Sequence, residues 1–142
     1  MNTTKINIPR MMDERRKVLL LSGSDPGTIL LQEILAKHVD IASASAIPEM
    51  LSLLAEETCD VLFCDWRFAM GTWRDVVEGI QSQYPELPVI VVCRTGGERE
   101  WREVLEANAF DLLTEPYCER AVLTVLEHAL VTRDGRTMRT VA

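Results

Sequence analysis

The chain has no apolar run approaching the ~18 residues that a membrane-spanning helix needs. Its first sixteen residues, MNTTKINIPRMMDERR, lack the apolar stretch of a signal peptide, so the expected location is the cytoplasm. It has two histidines, His38 and His128, and four cysteines, Cys59, Cys64, Cys93 and Cys118. These show neither CxxC nor Cys/His ligand spacing, which argues against a zinc site. There is no GxxxxGK[ST] and no GxSxG, which removes the P-loop and α/β-hydrolase readings. Without a complete GxGxxG, the strand-to-helix segment LSGSDPG reads as a helix-capping turn, with nucleotide or flavin binding the weaker alternative because Asp25 and Asp65 would face the phosphates. Positive charge is the minority sign: 15 Lys and Arg against 22 Asp and Glu, a net −7. The ends are nevertheless basic. Residues 1–16 and 132–142 each carry +2, leaving −11 for residues 17–131. An acidic body argues against nucleic-acid binding, which rests on neutralising phosphates with Lys and Arg.

What the chain does have is 47% hydrophobic and 26% charged residues over 142 positions, the profile of one globular domain with a core. Five short apolar runs read as strands: Lys17–Ser22, Val39–Ala44, Asp60–Cys64, Pro88–Cys93 and Phe110–Leu113. The first, third and fourth are nearly continuous in Val, Leu, Ile and Phe, as in central strands covered on both faces. Between them, apolar residues recur at helical spacing over about 26–37, 46–57, 72–83, 98–107 and 118–131. Asp25 suits the N-cap of the first helix, Pro26 its first turn, and Asn108 the left-handed end of the fourth. Alternating strands and helices with short connections predict an open parallel sheet with helices on both faces. Ligands of such folds sit at the carboxyl ends of the strands. The body spans 17–131, with disordered tails expected over 1–16 and 132–142. A body of ~115 residues leaves no room for a second domain, so a stand-alone unit is expected.

The segments KVLLLSGSDP, CDVLFCDWR, LPVIVVCR and NAFDLLTEPY give the chain a clear likeness. It resembles the receiver domain of bacterial two-component response regulators over about residues 17–131. The resemblance implies a flavodoxin-like (βα)5 doubly wound α/β fold with strand order 2-1-3-4-5. It implies an aspartyl phosphoacceptor at the end of the third strand, here Asp65. Pro116 matches the family's Pro after the fifth strand. It implies a phosphorelay function, with a histidine kinase or other signalling protein as partner. It also implies a possible homodimer through the face made by the fourth helix, fifth strand and fifth helix. No enzyme activity is implied beyond self-phosphorylation and dephosphorylation at Asp65, and no membrane or nucleic-acid partner.

Against that family pattern several positions are altered. Gly23 and Ser24 stand where two acidic residues usually help hold Mg2+, and Asp25 comes one place late. A metal could use only Asp25 and Asp65, so Mg2+ binding is expected to be weak or absent. Cys93 replaces the usual Ser or Thr, and Arg94 follows where a small residue is common. Glu115 replaces the Lys before Pro116. At ~4 Å and an effective dielectric of ~20, a unit charge pair is worth about 4 kcal/mol, so exchanging attraction for repulsion is expected to oppose phosphoryl binding. Arg94 is expected to pair with Glu115 or Asp65 and substitute for the metal charge. Leu112 occupies the place of the aromatic switch residue.

Two functions therefore stand open: an Asp65 phosphoacceptor with a degenerate site, and a phosphorylation-independent pseudo-receiver that acts as an interaction module. Trp66, directly after Asp65, is a possible partner anchor. Trp73 and Trp101 fit helix faces and are expected to pack. The cysteines are expected to be reduced. A Cys64–Cys93 redox pair requires the two to lie on adjacent strand ends.

Overall fold

A computed structural model describes residues 15–23, 26–68 and 70–141, with side chains through 136. In chain order the elements are β1 (Lys17–Leu21), α1 (Pro26–Ala36), β2 (Asp40–Ala44), α2 (Ile47–Glu56), β3 (Val61–Asp65), β4 (Arg67–Phe68) and β5 (Gly71–Thr72). They continue with α3 (Trp73–Gln83), β6 (Val89–Cys93), α4 (Glu98–Glu106), β7 (Asp111–Thr114) and α5 (Glu119–Val141). The five long strands form one parallel sheet in the order β2-β1-β3-β6-β7, which is the expected 2-1-3-4-5 order once the β4–β5 hairpin is set aside. Five helices cover the two faces.

The period of two along each strand sorts the core into two layers. Leu19, Leu21, Leu62, Cys64, Val89 and Val91 face Met50 and Leu54 of α2, Trp73, Val76 and Ile80 of α3, and Val104 of α4. Val18, Leu20, Val61, Phe63, Ile90 and Val92 face Leu31 and Leu35 of α1 and Val122, Leu126 and Leu130 of α5. Both faces of β1, β3 and β6 are thus buried, which explains why those strands read as continuous apolar runs. Asn108 has φ 72°, and its left-handed conformation ends the turn after α4.

Two regions differ from expectation. The β3–α3 connection contains a small antiparallel hairpin, pairing Arg67 with Thr72 and Phe68 with Gly71. The second concerns the ends. Residue 131 does not terminate α5, which continues to Val141. Arg16 is 7% exposed; its Nη2 donates to Asp134 Oδ2 at 2.7 Å and its Nη1 to Asp60 Oδ1 at 3.2 Å. Arg133 reaches the same Asp60 oxygen at 3.4 Å, and Asp60 Oδ2 accepts from the Lys17 backbone N–H at 3.0 Å. Arg15 Nε donates to Asp40 Oδ1 at 2.9 Å. Paired charges therefore tie residues 15 and 16 and the extended helix to the body. Residues 132–141 of the segment expected as a tail lie in this helix, while residues 1–14 lie outside the described residues.

Candidate functional site

The carboxyl ends of β1, β3 and β6 converge because the sheet is parallel, and Asp65 stands at the end of the central strand β3. Parallel pairing sets Asp65 beside Val92, and the Trp66 N–H donates to the Val92 carbonyl at 2.9 Å. The Gly23 N–H donates to Asp65 Oδ2 at 2.9 Å. That bond fixes the carboxylate at the mouth of a cavity of about 310 Å3, lined also by Trp66, Arg67, Cys93, Arg94, Thr95 and Tyr117.

Gly23 sits where the family carries an acidic residue. A Cβ there would lie 3.6 Å from the Arg67 carbonyl oxygen and 4.0 Å from Asp65 Oδ2. The hairpin backbone thus borders the position without filling it. Ser24 and Asp25, and with them the Asp25 N-cap, lie outside the described residues. Among the described residues no group of three His, Cys, Asp or Glu could hold a metal ion. Mg2+ asks for a tight octahedron of oxygens, usually with one or two carboxylates. Among the described residues Asp65 is the one carboxylate lining the cavity. The described donors do not fit a resident Mg2+.

Cys93 ends β6 and is nearly buried, and burial pushes its thiol pKa up. Burial raises the fully enclosed Cys64 thiol well above its ordinary value, with the Asp65 charge adding to the effect. Both therefore stay protonated and are poor nucleophiles and poor metal ligands. Cys64 and Cys93 do lie on adjacent strands. However, Cys64 is paired with Val91, two residues short of Cys93. Diagonal neighbours of this kind are about 7–8 Å apart, beyond the usual reach of a disulfide. All four cysteines are free.

Glu115 precedes Pro116 across a cis peptide bond. Its carboxylate is turned toward the first turn of α1. A Cβ at Gly27 would overlap Glu115 Oε2 and lie 2.9 Å from its Cδ. Glu115 does not line the Asp65 cavity. The positive end of the α1 dipole explains this placement of an anion. The expected face-to-face repulsion between Glu115 and a group on Asp65 is therefore reduced. Among the described residues no ion pair joins Arg94 to Asp65 or Glu115, so the expected pairing is not formed; Arg94 instead lines the cavity from the β6–α4 loop. Leu112 is half-buried against the layer that holds α2, α3 and α4.

Trp66 is not a free anchor. Its ring centroid lies 5.3 Å from that of Trp73 at an interplanar angle of 42°, and Arg74 stacks 4.7 Å over Trp73. Trp73 is buried as expected, but Trp101 is 48% exposed on α4 and does not pack as expected. His38 Nε2 lies 3.1 Å from Glu119 Oε2, linking the end of α1 to α5. Sequence reasoning placed three further cavity residues, Arg67, Thr95 and Tyr117, at the strand carboxyl ends without singling them out. Their only sequence signal was proximity, two places after Asp65, two after Cys93 and one after Pro116.

Fold and site together define an α/β domain with an acidic residue at the mouth of its central strand. The chain belongs to the response regulator receiver domain family, whose model matches residues 27–127. It is 33% identical over 103 residues to the response regulator protein PilR of Pseudomonas aeruginosa, covering 72% of this chain and 23% of PilR. It is 25% identical over 124 residues to a chemotaxis protein CheY homolog of Campylobacter jejuni, covering 84% of this chain and 95% of that protein. The fold matches NtrX from Brucella abortus with a TM-score of 0.80 at 18% identity, over 89% of this chain and 29% of NtrX. The chain thus spans under a quarter of PilR but nearly all of the CheY homolog. Receiver domains of this family serve two-component signalling and generally bind Mg2+. Among the described residues no helix is long and apolar enough to cross a membrane.

Proposed function

We propose that this receiver accepts a phosphoryl group on Asp65 from a histidine kinase or a small acyl phosphate, and passes the change to a partner protein. The observation that carries the reading is the Asp65 carboxylate, held by the Gly23 N–H at the cavity mouth. In the reaction, an Asp65 oxygen forms a bond to phosphorus while the bond to the donor's imidazole nitrogen or carboxylate oxygen breaks. The leaving group departs with that electron pair, and an imidazole then holds its proton on the other nitrogen. Transfer of this kind depends on stabilising negative charge spread over the phosphoryl oxygens. The family's usual groups for this are altered here: Gly23, Cys93 and Glu115 stand in place of an acid, a hydroxyl residue and a Lys. The signalling takes place in the cytoplasm. The half-exposed Trp101 on α4 supports use of the α4–β7–α5 face for a partner or a second copy.

The described donors that fail to fit Mg2+ favour a second reading, a phosphorylation-independent interaction module. One experiment separates the two. The protein is incubated with Mg2+ and acetyl phosphate and its intact mass is measured. One added phosphoryl group, lost in Asp65→Asn, is expected. No gain under saturating donor, or a gain retained in Asp65→Asn, refutes the phosphoacceptor reading.

A further inference from the structure

The described residues lining the Asp65 cavity carry one carboxylate and two guanidiniums, those of Arg67 and Arg94. The described part of the cavity wall therefore carries a net positive charge in a body of charge −11. Both arginines are exposed, and among the described residues neither has an ion-pair partner. They approach from different elements, Arg67 from the β4–β5 hairpin and Arg94 from the loop after β6. Thr95 adds a hydroxyl to the same lining. Glu115, also expected here, is turned to Gly27 instead, and Asp25 lies outside the described residues. Guanidinium is the side chain best matched to oxyanions, because its planar fork donates two parallel hydrogen bonds.

We infer that Arg67 and Arg94 form an oxyanion cradle that binds a phosphoryl group beside Asp65 without a divalent cation. The inference deepens the phosphoacceptor reading and, for its role in transfer, rests on it. The two guanidiniums supply the charge that the described donor set leaves to no metal. Their separate origins let them approach the group from two sides, while the Asp65 oxygen faces it at the cavity mouth. The ligand class is a tetrahedral oxyanion, either free phosphate or the phosphoryl group of a donor.

The test has two arms on the full chain in excess EDTA. In the first, inorganic phosphate is titrated and the side-chain Nε–Hε resonances of Arg67 and Arg94 are followed by NMR. Saturable shifts of both are expected, strengthened in Asp65→Asn, where a repelling carboxylate is neutral. In the second, acetyl phosphate is the donor and intact mass the readout. A rate that EDTA leaves unchanged is expected, with Arg67→Ala and Arg94→Ala each lowering it about tenfold, the scale of one charge-assisted hydrogen bond. Both positions are exposed, so far-UV circular dichroism should show both variants folded. Phosphate shifts without any mass gain would support the cradle and refute the phosphoacceptor reading. A mass gain that needs Mg2+, with no phosphate shifts, would overturn the cradle and leave the phosphoacceptor reading standing. A gain that EDTA spares and both arginine variants keep would also overturn the cradle, and neither shifts nor gain would overturn both.

Discussion

Replacing Gly23 by Asp should build the divalent-cation site that the described residues lack. The new Cβ fits in ordinary contact, 3.6 Å from the Arg67 carbonyl oxygen and 4.0 Å from Asp65 Oδ2. Its carboxylate then faces Asp65 across roughly 5 Å, where two like charges repel by about 3 kcal/mol at an effective dielectric of ~20. Solvent at the cavity mouth screens this, so a net loss of about 1–2 kcal/mol is expected in EDTA. At roughly 3 °C per kcal/mol for a domain of this size, the melting temperature should fall by about 3–6 °C. Mg2+ reverses the sign, because two carboxylates and a backbone carbonyl now face one point. With MgCl2 at ~100 times the dissociation constant, binding returns about 2.7 kcal/mol, enough to lift the variant above its EDTA value by several degrees. Thermal melts of wild type and Gly23→Asp, each in EDTA and in MgCl2, supply the four numbers needed. The wild type should barely respond. If MgCl2 raises wild type as much as the variant, existing carboxylates already complete a site, and the argument from Gly23 is wrong.

Three further outcomes follow from the same geometry. Asp134→Ala leaves the nearly buried Arg16 with Asp60 alone; breaking a fully buried pair is worth about 3–5 kcal/mol, so a loss near 2 kcal/mol is expected in urea melts, and a change under ~0.5 kcal/mol would mean that α5 is not clasped to the body. Burial holds the Cys59 thiol at a pKa of about 11 against an ordinary 9.0. The folded state therefore keeps a proton that the unfolded state loses, and stability should fall as pH rises from about 9 to 11, by about 1.4 kcal/mol at pH 10. Cys59→Ala should flatten that fall in melts at pH 7 and 10, and an unchanged slope would refute the assignment to Cys59. Gly27→Ala must displace the Glu115 carboxylate; it should stabilise by about 0.4–1 kcal/mol in a Glu115→Ala background but less in wild type. Additivity within about 0.3 kcal/mol across that double-mutant cycle would show that the two residues do not meet.

The sheet was legible because its physics is local. Continuous apolar runs and helical periodicity set strand and helix positions to within a few residues, and Asp65 fell at a strand end by counting alone. The misses have separate causes, of which the first is a partner far along the chain. Arg16 and Asp134 are 118 residues apart, so their pairing has no signature in composition, and a basic segment looked like a tail. Trp101 has the spacing of a packed residue, yet α4 turns only Val104 fully inward. The β4–β5 hairpin has two residues per strand, too short for an alternating pattern to register.

The charge of a site cannot be read by substituting signs at aligned positions. Glu115 in place of Lys suggests a swing of two units against a phosphoryl group, but this holds only if the side chain points the same way. Gly27 leaves room over the first turn of α1, and the carboxylate occupies it. In the other direction, Arg67 and Arg94 stand at positions with no assigned charge, and both line the cavity. An acidic chain that lacks the family's paired acids at Gly23 and Ser24 thus has, among its described residues, a positive cavity lining around Asp65. The energetic scale shifts as well. The ~4 kcal/mol per pair that applies at ~4 Å applies neither to a carboxylate turned away nor to exposed guanidiniums, whose interactions are screened toward about 1 kcal/mol. A site of this kind should therefore bind oxyanions weakly and reversibly. It should also lose that binding as salt rises, because exposed guanidiniums are the groups most affected by a Debye length of about 8 Å.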